Sequence, residues 1–443
     1  MPALQQTNPI FAAVRFPWIG PITAQEWLPR LRSAGLHASI TDESDEGFTI
    51  ELTHPTAGSA KLVGMADAPP VDDFYFLFAP SIGDKQRKRL LDGGYDITVV
   101  MQPRTGNLLR DKKALFRFAR AVMGGDALAM IDTFSSRVWL APDLDMELAH
   151  DADLDIEALY AIHAVQSDDP KHVDEDGEPR CTWLHTHGLA ELGGFDIDIV
   201  NPHPSFVHNS GDIIRALAFA MIEDGIAPDT EGFPIFYPDG EIDLVPVAEF
   251  MKHADPAVAA LRDTEGREEN RSVLCQPRSE KPGGKWKVAP AKCLQTEMPD
   301  EIMSPFTKRA TDLMAERARA TVHVFQALWK EFADLQPHAI VKLGYLTDAA
   351  KAEKTDDREH MWFEVHDLRA DKLEATLLNQ PIEIESMSEG DRGWHDLDLI
   401  TDWTLVTPEG NIDPRDMSAV RALRELPRAE RAELARAIAE SKD

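Results

Sequence analysis

The chain has 443 residues, 46 Lys and Arg against 77 Asp and Glu, a formal net charge of −31, and 43% hydrophobic residues. That apolar fraction excludes a disordered chain, and at ~100–200 residues per domain the length suits two to four domains. The acidity argues against nucleic acid and against an anionic membrane surface, which both select a basic footprint. A basic or neutral protein partner, or a metal ion, stays open.

Cys181, Cys275 and Cys293 are odd in number and have no CxxC spacing. They predict no disulfide framework and a reducing compartment. No apolar run reaches the ~18 residues of a membrane span, and the N-terminus lacks the secretory pattern. A cytoplasmic protein is the expectation.

In chain order, Pro21 to Leu36 reads as a helix stopped by Gly35. Strands are expected at Ala38–Thr41, Phe48–Leu52, Lys61–Gly64 and Phe74–Phe78, a helix over 84–92, and a β-branched strand at Ile97–Met101. An amphipathic helix over Asn107–Met123 precedes strands at Leu128–Ile131 and Val138–Leu140. Without strict βαβ alternation, the fold class is α+β. Residues 151–179 hold ten acidic residues and one Lys, and Gln166–Pro179 reads as an exposed loop. Strands at Cys181–His187 and Phe195–Val200 lead to a helix over Asp212–Ile222, then to strands at Ile242–Val247 and Ser272–Leu274. Residues 277–291 are locally basic and rich in Pro and Gly, as in a linker. Ser304-Pro305 caps a long helix. Strands follow at Ala339–Leu346, Met361–Val365, Leu373–Leu378 and Ile382–Ile384 and near Trp403–Val406, then helices opened by Asp413-Pro414 and Pro427. The segments are thus an N-terminal mixed α/β body (1–150), a middle region (151–276), a linker (277–303), a small bent, barrel-like β-sheet packed on a long helix (304–412), and a helical C-terminus (413–443).

The densest chemical cluster is Cys181-Thr-Trp183-Leu-His185-Thr-His187-Gly188. Alternate strand residues share a face, so Trp183, His185 and His187 point the same way. Two imidazoles so placed reach a single divalent ion such as zinc, and His203 or His208 would supply a third nitrogen. The metallo-β-lactamase pattern is not met: its Asp and third His positions hold Leu189 and Ala190. Three readings stand: a metal site, a metal-free ligand pocket, and packing of Trp183 with both imidazoles. In Phe195–Ile199 the alternation puts Asp196 and Asp198 outward. Neither a Walker loop, nor a GxGxxG after a strand, nor a GxSxG elbow occurs.

Val341-Lys-Leu-Gly-Tyr345, Glu359-His-Met-Trp-Phe-Glu-Val365, Leu377-Leu-Asn-Gln-Pro381, Glu389-Gly-Asp391 and Ile400-Thr-Asp-Trp403 occur in order. Over roughly residues 305–410 the chain resembles the YegJ-like domain, a bacterial domain of unknown function. Trp183 to Leu189 is similar to a segment of an uncharacterised bacterial family that joins such a region to a YegJ-like domain. The resemblance implies a cytosolic bacterial protein and assigns no catalytic residues. In Glu359–Val365, Met361, Phe363 and Val365 face a core, while His360 and Trp362 would line a groove with Asn379 and Trp403.

Two functions are therefore expected to compete. The first is a binding or interaction protein, regulatory or immunity-like, with no cofactor and a basic or neutral protein as partner. The alternative is a metal-dependent hydrolase centred on His185, His187 and His203.

Overall fold

The computed structural model describes residues 8–18, 23–65, 82–92, 94–167, 171–173, 177, 179–236, 240–262, 270–277, 288–296, 308–335 and 337–440. The chain divides into two compact units, residues 1–141 with 156–310 and residues 142–155 with 311–443.

The first unit opens on β1 (Ile10–Phe16), α1 (Ala24–Ser33), β2 (His37–Ser44), β3 (Gly47–His54), β4 (Gly58–Met65), α2 (Asp84–Asp92), β5 (Tyr95–Met101), α3 (Leu108–Met123), β6 (Ala129–Asp132) and β7 (Arg137–Trp139). The strands form one antiparallel sheet in the order β2-β3-β4-β5-β1-β6-β7. β1 has no counterpart among the strands read from the sequence, yet it lies inside the sheet with Ile10, Ala12, Val14 and Phe16 fully buried. The Asn107 side chain caps α3 by accepting from Arg110 N, and the helix packs on β1 through its apolar face. The chain then passes through α4 (Ala141–Leu148), most of which belongs to the second unit.

A second sheet of the first unit holds β8 (Ala161–Gln166), β9 (Cys181–His187), β10 (Asp196–Val200), then, after α5 (Pro204–Glu223), β11 (Phe233–Phe236), β12 (Gly240–Pro246), α6 (Val247–His253), α7 (Pro256–Ala259) and β13 (Arg271–Cys275). Its order is β11-β12-β13-β10-β9-β8, with β10 and β13 parallel and the other pairs antiparallel. The helix expected from Asp212 starts earlier, at Pro204, because His203 caps it and Pro204 takes the first helical position. Asp196 and Asp198 do not face outward: they are 2% and 0% exposed, because buried arginines stand against them. Of the linker expected over 277–303, the described stretch 288–296 packs down, with Ala291 N donating to Leu274 O and Val288, Ala291 and Leu294 buried. None of the three cysteines forms a disulfide. The expected strand Phe74–Phe78 and the Ser304-Pro305 cap fall outside the described residues.

The second unit is α8 (Lys308–Glu331), β14 (His338–Leu346), α9 (Asp348–Glu353), β15 (Arg358–Leu368), β16 (Lys372–Leu377), β17 (Arg392–Asp396), β18 (Ile400–Thr407), β19 (Gly410–Ile412), α10 (Ser418–Glu425) and α11 (Arg428–Glu440). Its sheet is antiparallel in the order β17-β16-β15-β14-β18-β19. The sheet stays open rather than closing as a barrel, since β17 and β19 are its two ends. Phe325, Leu328 and Phe332 of α8 pack with Val341, Phe363 and Trp403 in one core. Arg317 of α8 is buried and grips Glu147 through Nη1 and Nη2, while its Nε donates to Pro414 O at 2.6 Å. That segment 142–155 is thereby tied to α8.

Two local expectations fail here. Ile382–Ile384 is no strand: Ile382 N and Glu383 N donate to the Glu359 carboxylate instead of a neighbouring strand. Asp413-Pro414 starts no helix, because Asp413 accepts from Arg415 N and Asp416 N in a turn, and α10 begins at Ser418.

Candidate metal centre

β8 and β9 pair antiparallel with His163 directly across from His185 and Ala161 across from His187. Residues opposite each other share a sheet face, so three imidazoles gather on one side of two strands. One ring nitrogen from each of His163, His185 and His187 lies within 4.8 Å of the others. His185 Nε2 and His187 Nε2 are 3.1 Å apart. Zn–N bonds of ~2.1 Å at tetrahedral angles separate ligand nitrogens by roughly 3.4 Å, so the pair stands near ligand spacing. The His163 ring centroid is 4.3 Å from that of His187 and 5.0 Å from that of His185.

Around the imidazoles the sheet is buried and rich in polar groups. His163 and His185 are each 3% exposed, and His187 is half-buried. Trp183 stacks on His185 with centroids 3.8 Å apart, and Arg262 lies over the other ring system, its Cζ 5.2 Å from the Trp183 centroid. On the next strand Asp198 is opposite His185. Its Oδ1 accepts from Arg271 Nη1 at 2.6 Å and its Oδ2 from Arg262 Nε at 2.7 Å. Arg271 Nη2 also donates to Thr186 O at 2.8 Å and lies 3.5 Å from His187 Nδ1. Asp196 accepts from Thr186 Oγ1 and Leu189 N; burial pushes its carboxyl up to about 7, against the pull of Arg271. β9 ends at His187 because Gly188 takes φ +118° there, where a Cβ would meet Leu159 O at 2.3 Å.

His203 is not brought to this cluster. Its Nδ1 accepts from Ser205 N and contacts Ser205 Oγ at the start of α5. The imidazole beside His185 and His187 is His163, from β8 within the acidic stretch 151–179. The His208 side chain lies outside the described residues. His163, Arg262 and Arg271 went unread in the sequence, and Asp198 was read only as facing outward. Ala161-Ile-His-Ala-Val165, an apolar alternation interrupted by one His, was the signal for the first.

The groove expected in the second unit is divided between two faces. Trp403 is opposite Val341, which is opposite Phe363, so Trp403 belongs to the core face and is fully buried. His360 and Trp362 occupy the other face, where Lys342 Nζ is 5.1 Å from the Trp362 ring centroid and His360 Nδ1 is 3.0 Å from Thr401 Oγ1. Asn379 Oδ1 accepts from Trp362 N, which fixes the loop after β16 to β15.

Residues 309–433 match a family described as an uncharacterized protein conserved in bacteria (DUF2314), and residues 162–276 match the C-terminal part of a protein of unknown function (DUF4026). Every residue of the histidine cluster and its arginine–aspartate support lies within the second match. Neither a curated protein nor a solved structure matches the chain. Among the described residues no helix is long and apolar enough to cross a membrane.

Proposed function

From a chain that carries domains of two uncharacterised families, one of them conserved in bacteria, we propose that the middle region is a metal-dependent module of hydrolytic type. It holds one divalent transition-metal ion on His163, His185 and His187. The observation that carries this reading is the convergence of three ring nitrogens within 4.8 Å. Three neutral imidazoles without a thiolate or carboxylate select zinc, cobalt or nickel over magnesium or calcium. Three protein ligands leave a tetrahedral position for water, which the ion would acidify and present as a nucleophile.

Elemental analysis of the purified chain tests the reading. One equivalent of metal, lost in His163→Gln and His185→Gln but kept in His203→Gln, supports it. Metal far below stoichiometric in the parent chain after incubation with zinc sinks it.

A second reading is supported by Ile382. It is 87% exposed at the tip of a loop that Glu359 pins through Ile382 N and Glu383 N at 2.7 and 2.8 Å. Glu383, Glu385, Glu389 and Asp391, all exposed, follow it in sequence. An exposed apolar side chain on a pinned backbone, in a segment rich in exposed carboxylates, suits a basic protein partner with an apolar recess. A partner retained by the parent chain at low salt, released at high salt and lost with Ile382→Asp would support that role. Equal retention by Ile382→Asp would remove it.

A further inference from the structure

We infer that the three-histidine centre takes an oxyanion from outside the chain as its fourth ligand, drawn there by the charge of Arg271. This rests on the metal reading above. A divalent ion on three neutral imidazoles brings two positive charges into a place where His163 and His185 are each 3% exposed. Uncompensated charge so buried is costly, and a nearby anion is the ordinary remedy.

Among the described residues no carboxylate joins the three imidazoles to supply that anion. Asp198 is the carboxylate best placed, opposite His185, but its two oxygens accept from Arg271 Nη1 at 2.6 Å and Arg262 Nε at 2.7 Å. Asp198 is thereby shared between two guanidinium groups. Asp196 Oδ1 is taken by Thr186 Oγ1 and Leu189 N, and its Oδ2 faces Arg271 at 3.7 Å. Both carboxylates are therefore engaged by arginines, a hydroxyl and the backbone.

Of the three, the side of His187 is the least buried. Arg271 Nη2 is 3.5 Å from His187 Nδ1 on that side. The same nitrogen donates to Thr186 O at 2.8 Å, so Arg271 acts through its field and not by gripping the ligand. A dication flanked by a fixed guanidinium favours a carboxylate or phosphate oxygen over a neutral donor of the same shape.

The test uses the full chain loaded with cobalt(II), whose visible bands report the ligands of the ion. Acetate and inorganic phosphate are the anionic probes, and acetamide is the neutral match for acetate; ionic strength is held constant. Saturable band shifts with acetate or phosphate, at concentrations at least about tenfold below those of acetamide, are expected. The tighter of the two anions identifies the oxyanion. Arg271→Gln should weaken the anion response about tenfold while cobalt uptake is kept, and Arg271→Lys should retain most of it. Cobalt uptake with bands indifferent to both anions, or equally responsive to acetamide, overturns the inference and leaves the metal reading standing. No cobalt uptake overturns both. If Arg271→Gln does not fold, the contrast between acetate and acetamide on the parent chain still decides.

Discussion

Trp403 Nε1 donates a 3.0 Å hydrogen bond to Thr321 Oγ1, joining the sheet of the second unit to α8 at a point where both side chains are fully buried. The indole also packs on Phe325, with ring centroids 5.3 Å apart. Trp403→Ala removes a core aromatic and should destabilise this unit by about 3–5 kcal/mol. Thr321→Val keeps the volume but strands the indole N–H, for about 1–3 kcal/mol. Calorimetric unfolding of both variants checks the order. A Thr321→Val chain as stable as the parent would show that the hydrogen bond contributes nothing.

Asp198 is held by two arginines that are themselves 3% and 4% exposed. Asp198→Ala leaves both guanidinium groups buried without their carboxylate, and a loss of about 3–5 kcal/mol is expected. Arg262→Met removes one charge and keeps one pair, so its loss should be smaller. Urea midpoints of the two variants give the comparison.

Metal binding and folding are linked at the first unit's second sheet. An ion that binds only the folded chain stabilises it by about 2.7 kcal/mol at a free concentration one hundred times Kd. Zinc should therefore raise the melting temperature of the chelator-treated chain, and His163→Gln should abolish the rise. A rise of equal size in that variant would place the ion elsewhere.

The second unit should weaken on acidification. Burial first, then Lys342 and Arg358, holds the His360 imidazole below its ordinary 6.5. Burial does the same to His395, whose Nδ1 is 2.6 Å from Tyr345 Oη. Both rings are neutral in the folded chain at a pH where the unfolded chain begins to protonate. Their contribution is present above 6.5 and is lost as pH falls through the lowered folded values. Asp402, whose carboxyl burial pushes up, acts in the opposite sense, so the variant comparison isolates the histidines. Urea midpoints at pH 7 and pH 5 should differ less in His360→Asn than in the parent chain.

Exposure makes the opposite prediction at Ile382. With 87% of its surface in solvent, Ile382→Ser should change stability by no more than about 0.5 kcal/mol. Glu359→Ala should instead speed hydrogen exchange at Ile382 N and Glu383 N, whose acceptor it removes.

Periodicity carried much of the fold in the sequence. β9, β14, β16 and α3 stand close to where alternation and helical spacing put them, because one buried face dictates each pattern. β1 was missed although Ile10, Ala12 and Val14 alternate, since its Ala-rich run is weak in β-branched residues. β10 was found, but its outward aspartates were not outward. A polar residue at a strand position reads as solvated until its partner is known, and Arg262 and Arg271 lie 64 and 73 residues away from Asp198. Separation in sequence also hid His163: local spacing marks His185 and His187, and only strand pairing adds the third. Ile382 was read as strand because its β-propensity is genuine, while Glu359, which captures its backbone, lies 23 residues before it.

β8 is the last strand of its sheet among the described residues, paired on one side only. A slip of one residue along β9 would turn His163 to the opposite face and take its nitrogen away from His185 and His187. Metal stoichiometry thus doubles as a gauge of strand register. An ion bound across the two strands would lock an otherwise one-sided strand against fraying and against pairing with a foreign strand.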